Sequence, residues 1–292
     1  MTKLLRGERC ALCASGRSGK DGEHVLPNWL LGMWPSASGP FTLYRNGEPV
    51  LRRDGSVQTQ TSAARFKLPM CRACNGVLDQ RFERPAKPLI RRIFNAGPAL
   101  DPSEAELVGR WFVKTWLLLA RPELQVSDPG YEPTPWVPLE PSLYEWMTVE
   151  PPTPTPTGLS AWLVKIDREG RPAAATRHIA LPTVVADGST VQFRAFRFGL
   201  GWLDVSLVHH PLWAISHPLE AEGRAARLWP PSPTTGLEVG GLPLVGDREM
   251  SWLTGPTVHF QPDTYGKIEL PPLSATTDFM TDLEQAVQMV VG

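Results

Sequence analysis

The chain has 292 residues, 42% of them hydrophobic and 20% charged, with 31 Pro and 25 Gly. That composition is globular, long enough for one large domain or two ordinary ones, and richer in turns and β structure than in helix. No apolar run nears the roughly 18 residues of a membrane span, and the first residues carry no charged-then-apolar leader, so a cytoplasmic protein with no membrane partner is expected. The net charge of −1 averages two unlike parts: residues 1–100 hold 16 Lys and Arg against 7 Asp and Glu, the remainder 13 against 23. A polyanion partner is therefore expected for the first part only.

In chain order, "ERCALCASG" supplies Cys10 and Cys13 and leads through a polar loop to "EHVLPNWLLGMW", which opens as a strand or turn and becomes a short helix from Asn28. "FTLYRNGEPVLRR" reads as a hairpin about Asn46–Gly47. "ARFKLPMC" is an extended run that delivers Cys71 and Cys74. From Asn75 the pattern turns helical, with Val77, Leu78 and Phe82 about a turn apart, until Pro85 and Pro88 limit or kink it. "KPLIRRIF" resumes a helix to Phe94. "DPSEAELVGRWFVKTWLLLARPE" is the clearest helix, with Ser103 and Glu106 as a capping box and an arrest at Arg121–Pro122. Nine prolines between 129 and 157 mark a linker or extended crossing segment. Beyond it "LSAWLVKID", "STVQFRAFRF", "WLDVSLVHH" and "PLWAISH" are strand-like, and a helix is expected near 274–290. The expected division is 1–128, a linker at 129–157, and a β-rich domain with a terminal helix at 158–292.

All four cysteines fall into two C-x-x-C pairs, Cys10/Cys13 and Cys71/Cys74, separated by 57 residues. In a reducing compartment this pairing argues for a structural four-thiolate Zn²⁺ site rather than disulfides. Such a clip would fix Asn75, directly after Cys74, and anchor the chain leading to Glu23 and His24. A carboxylate and an amide oxygen are hard ligands for Mg²⁺ or Mn²⁺, and a histidine can deprotonate an attacking water near neutral pH. Together they suit metal-assisted phosphodiester hydrolysis. Arg72, Arg81, Arg84, Lys87, Arg91 and Arg92 are placed to hold flanking phosphates. Plainer readings stand beside these: Asn75 as a helix cap, His24 as a zinc ligand replacing one Cys, the arginines as a solvated face.

The order C-x-x-C, Glu-His, C-x-x-C-Asn resembles the HNH (ββα-metal) endonuclease superfamily, and most closely its zinc-stapled members, in which an asparagine directly follows the second cysteine pair. The likeness spans residues 8–121. It implies an α+β protein: a zinc-stapled ββα-metal N-terminal domain with a helical extension, followed by a β-rich C-terminal domain. It further implies His24 as general base, Glu23 and Asn75 as ligands of one catalytic Mg²⁺ or Mn²⁺, DNA (with RNA left open) as substrate, and a setting in phage biology or anti-phage defence. Two departures accompany it. His24 and Asn75 are 51 residues apart, about twice the usual gap, and the third signature position falls on Glu83 or Arg84, with Asp79 a further candidate ligand. The C-terminal half is assigned to dimerisation or a protein partner. The rival reading is a non-catalytic zinc module for nucleic-acid or protein binding, and a third has the acidic half acting as an inhibitor of the basic one.

Overall fold

A computed structural model describes residues 7–19, 22–31, 33, 41–42, 44–45, 48–49, 51–52, 54–57, 59–60, 66–95, 97–119, 121, 125–126, 141–148, 156, 158–167, 177–186, 189–200, 202–209 and 218–246. The architecture is α+β. Among the described residues no helix is long and apolar enough to cross a membrane.

The N-terminal part is built on a small antiparallel sheet in the order β1-β6-β7, from Glu23–His24, Phe66–Leu68 and Gln125–Val126. After β1 comes α1, Asn28–Leu31, a helix beginning where the sequence places it. The excursion from there to β6 carries two short strand pairs. Phe41–Thr42 (β2) pairs with Thr59–Gln60 (β5), and Tyr44–Arg45 (β3) with Glu48–Pro49 (β4). Arg45 faces Glu48, the register of a two-residue turn at Asn46–Gly47; those two residues lie outside the described ones.

After β6, one long helix runs from Arg72 to Phe94 with a π-helical turn inside it. Its segments are α2 (Arg72–Leu78), the π turn (Asp79–Glu83) and α3 (Arg84–Phe94). It begins three residues before the expected start at Asn75, because Cys71 is the N-cap and its sulfur accepts the Cys74 N–H at 3.5 Å. The prolines do not break it. A proline ring clashes with the carbonyl four residues back, and the wider π turn ahead of Pro85, closed by Arg84 N–H on the Asp79 carbonyl, relieves that crowding.

The helix α4, Pro102–Leu119, lies at the centre of the molecule. Residues 111–119 are all buried, as expected of a helix that is apolar all round. Its capping box lies two residues upstream of the expected Ser103/Glu106 pair. Asp101 Oδ1 accepts the Glu104 N–H at 2.9 Å and Glu104 Oε2 accepts the Asp101 N–H at 3.1 Å. Pro102 at the first helical position needs no N–H, so the cap falls on the Asp before it. Glu106 instead reaches Arg110, at 3.9 Å.

The second sheet is formed by β8 (Leu159–Asp167), β9 (Arg177–Ala186), β10 (Ser189–Leu200), β11 (Leu203–His209), β12 (Ala225–Trp229) and β13 (Leu244–Gly246). The strand order is β12-β8-β11-β10-β9, neighbours antiparallel, with β13 alongside β8 in parallel. The strands carry the expected runs at 159–167, 189–198 and 202–209; "PLWAISH" and the helix near 274–290 lie outside the described residues. A helical turn, α6 (Pro218–Ala221), precedes β12.

One continuous core joins the two sheets. On one side α4 packs against the 72–94 helix. On the other it meets β12 so closely that a Cβ on Gly109 would strike the Leu228 carbonyl, with the Trp229 ring 3.3 Å away. Within the proline-rich stretch, residues 141–148 are a packed turn rather than an extended crossing: α5 (Pro141–Glu145) and the residues after it bury Leu143, Tyr144, Trp146 and Met147. Trp146 sits between Phe82 at 5.1 Å and Trp229 at 5.9 Å. Four large apolar side chains in seven residues outweigh the extended preference of the flanking prolines.

Candidate metal centre

The first pair of cysteines lies on a tight turn. Cys10 N–H bonds the Gly16 carbonyl at 2.9 Å, Ala14 N–H bonds the Cys10 carbonyl at 2.9 Å, and Ala14 takes a left-handed φ of 55°. The second pair opens α2. Ala11 N–H bonds the Pro69 carbonyl at 2.7 Å and Met70 N–H bonds Ser18 Oγ at 3.1 Å, which sews the two segments together. The Arg121 guanidinium, 4.3 Å from the Tyr144 ring, donates to the Ala11 carbonyl and ties the turn to the end of α4.

As a result the sulfurs of Cys10, Cys13, Cys71 and Cys74 all lie within 4.8 Å of one another, Cys13 and Cys71 at 3.9 Å, and all four are free thiols. Four ligands at a Zn–S length of about 2.3 Å stand about 3.8 Å apart in a tetrahedron, so the cluster is sized for a metal ion and consistent with structural zinc. The thiol chemistry fits as well. The Ser15 hydroxyl and the Gly16 N–H, at 3.3 Å, draw the exposed Cys13 thiol down to about 6, while burial pushes the Cys74 thiol up. Cys13 therefore offers a thiolate at neutral pH, and a metal would offset the burial that opposes ionisation of Cys74.

Gly16 is required by this packing. A Cβ there would stand 2.5 Å from Cys71 Cβ and 2.6 Å from its sulfur. Gly16→Ala is expected to weaken zinc retention at least tenfold, to order of magnitude, in competition with a chromogenic chelator; retention equal to wild type would show that the turn can open at no cost.

Beside the cluster, β1 and α2 bring together two of the three residues singled out from the sequence. The Asn75 side chain is near enough to Glu23 to draw its carboxyl down. Asn75 lies inside α2, not at its cap, which Cys71 occupies. Glu23 pairs with Leu68 and His24 with Lys67 along β1 and β6. Successive strand residues face opposite ways, so Glu23 shares the face of buried Leu68, and His24 lies with Lys67 on the other side of the edge strand. Burial raises the Glu23 carboxyl to about 7, with Lys114 pulling it down and Glu83 pushing it up.

A carboxyl raised from 4.5 to about 7 on folding binds its proton more tightly in the native state. Its stabilising effect is complete below 4.5 and is lost as pH rises to about 7. In urea melts of zinc-loaded protein without Mg²⁺, wild type is expected to lose stability relative to Glu23→Gln over that window. Parallel profiles for the two would place Glu23 in water.

The remaining nominated residues divide. Glu83 is engaged through both oxygens: one is paired with the ammonium of Lys114 and the other accepts Trp29 Nε1–H at 3.0 Å. Asp79 is paired with Arg84 at 2.8 Å on the surface. Arg81 donates to the carbonyls of Met147 at 3.2 Å and Trp146 at 3.3 Å, which makes it an anchor for the 141–148 turn. Arg92 is paired with Glu104. Arg72 and Arg91 are exposed and Lys87 half-buried, and no ion pair engages these three among the described residues. Sequence reasoning missed Lys114 and Trp29. The signal was present in "WFVKTWLLL", where a lone charge inside an apolar helix calls for a buried partner.

Among the described residues the four cysteines are the single group of three or more His, Cys, Asp or Glu side chains gathered around a common point. Comparison with protein-family models, curated proteins and solved structures finds no match to this chain.

Proposed function

We propose that the protein is a metal-dependent endonuclease of the HNH type that hydrolyses phosphodiester bonds in DNA. The placement of Glu23 on β1 and Asn75 on α2, beside the four-cysteine cluster, carries the reading. It joins residues 52 positions apart in the chain and pairs the two donor types a hard divalent ion takes, a carboxylate and an amide oxygen. The local order supports it too: two paired strands, β1 and β6, followed at once by α2.

Mg²⁺ or Mn²⁺ held by Glu23 and Asn75 would supply positive charge for the phosphate and the departing 3′ oxygen. The protein's own groups do the rest. His24 takes the proton of the attacking water. Its place across the strand from Glu23 suits in-line attack, in which nucleophile and leaving group stand on opposite sides of the phosphorus. Because β1 is an edge strand, a phosphodiester along its free side meets both residues. Arg72, Lys87 and Arg91 hold neighbouring phosphates along the helix.

The test is incubation of the zinc-loaded protein with supercoiled plasmid in Mg²⁺, in Mn²⁺ and in chelator. Nicking in the metal arms only is the expected result, and no cleavage of plasmid, branched or single-stranded DNA in any arm overturns it. A second reading, a zinc-stabilised nucleic-acid-binding module without catalysis, is favoured by one observation: the four cysteines are the lone ligand cluster among the described residues. It predicts salt-sensitive DNA binding with no cleavage.

A further inference from the structure

The four thiols of the cluster are unequally placed. Cys10, Cys71 and Cys74 are 2%, 8% and 7% exposed, whereas Cys13 lies at the surface. The Cys13 sulfur accepts the Gly16 N–H at 3.3 Å and stands 3.9 Å from the Cys71 sulfur. Gly16 keeps the space beside this pair clear: a Cβ there would meet Cys71 Sγ at 2.6 Å and Cys13 Sγ at 3.4 Å. One sulfur is therefore open to a small dissolved oxidant, and a second, shielded from it, stands within contact distance on the other segment. Oxidation of cysteine follows access and the presence of a neighbouring thiol that can resolve the product.

We propose that Cys13 is an oxidation site for peroxides, that Cys71 is its resolving thiol, and that the disulfide between them releases the zinc. In the first step the Cys13 thiolate attacks one peroxide oxygen. An S–O bond forms, the O–O bond breaks, and hydroxide leaves to become water with one proton. In the second the Cys71 thiolate attacks the Cys13 sulfur, the S–S bond forms, the S–O bond breaks, and a second hydroxide leaves as water. The two sulfurs lose two electrons and the peroxide gains them.

Cys10 and Cys74 then remain, two ligands where a closed structural site uses four, and the metal is no longer held. The new bond joins the Cys10–Ala14 turn to the start of α2 in the metal's place. The segments stay linked, so a dithiol followed by Zn²⁺ restores the cluster. This inference is independent of the nuclease reading.

The test treats zinc-loaded full-length protein with hydrogen peroxide, follows zinc release with a chromogenic chelator and maps disulfides by peptide mass spectrometry. Wild type is expected to release its zinc with a Cys13–Cys71 bond and to regain it after dithiothreitol and Zn²⁺. In Cys13→His an imidazole supplies the fourth ligand and no thiolate faces water, so release slows by about tenfold or more.

Wild type that keeps its zinc under peroxide overturns the proposal. So does a zinc-retaining Cys13→His protein that releases metal as fast as wild type, or a disulfide that omits Cys13 or joins it to Cys10 or Cys74. Should Cys13→His fail to hold zinc, trapping in wild type decides. Dimedone, which captures a sulfenic acid before it condenses, is expected on Cys13, and its capture on Cys10, Cys71 or Cys74 instead overturns the assignment. Protein that binds no zinc removes the metal reading and this inference together.

Discussion

His24→Ala is expected to lower Mg²⁺-dependent nicking of supercoiled plasmid by about 10²–10⁴-fold, the usual contribution of a general base, while the protein keeps its zinc and its melting temperature. The residue is half-buried on an edge strand, paired in register with Lys67 rather than with the core residue Leu68, so little packing is lost when the ring is removed. The ring also lies across the strand from Glu23, and divalent-ion binding should survive the change. Loss of cleavage with Mn²⁺ binding retained is therefore the specific signature of a base. Loss of both would point to His24 as a ligand, and full activity in the variant would place the base elsewhere or expose a contaminating nuclease.

The second large effect concerns the cysteines. Cys71→Ser should empty the metal centre and melt the N-terminal part because its sulfur belongs to the cluster, while a serine at this position can still cap α2. Structural zinc contributes on the order of 10–16 kcal/mol of apparent binding free energy in small zinc domains. Here a core shared with α4 and the second sheet retains part of the fold, so the expected outcome is a fall of more than about 10 °C in the first unfolding transition. Zinc by atomic absorption and ellipticity at 222 nm, followed together, check it. An unchanged melt with zinc absent would mean that the cluster binds metal without supporting the fold. Nicking should vanish in Cys71→Ser as in His24→Ala, but for a different reason: α2 loses its anchor, and Asn75 can no longer meet Glu23.

Much of this was legible in the residues. Paired C-x-x-C motifs and short-range patterns are local signals, and they place the four-cysteine cluster, α1, the strand pair around Asn46–Gly47, α4 and three of the strands between 159 and 209 close to where they fall, while β9 (Arg177–Ala186) goes unread. The errors are informative for the same reason. The capping box was assigned to Ser103/Glu106 because residue type alone ranks serine and aspartate alike at a helix start; Pro102 at the first helical position moves it to Asp101/Glu104. Pro85 and Pro88 read as limiting or kinking the helix, whereas a π turn precedes Pro85, the helix continues to Phe94, and Phe82 of that turn packs on Trp146. The same contact explains how "PSLYEWM" becomes a packed turn inside a stretch rich in proline.

Tertiary structure alone decided which polar residues meet. Glu23 and Asn75 are singled out together by the sequence, but they come near one another because β1 pairs with β6 and the cysteines hold α2 beside that pair. Glu83, Asp79, Arg81 and Arg92 had the right chemistry for ligands or phosphate clamps, and spacing offered nothing to set them aside. Each was claimed instead by a partner distant in sequence or across a turn: Lys114, Arg84, the carbonyls of residues 146 and 147, and Glu104. A residue's type fixes what it is able to bind and its neighbours in sequence fix its element, whereas which partner satisfies a buried charge is settled only when distant elements close on one another and exclude water.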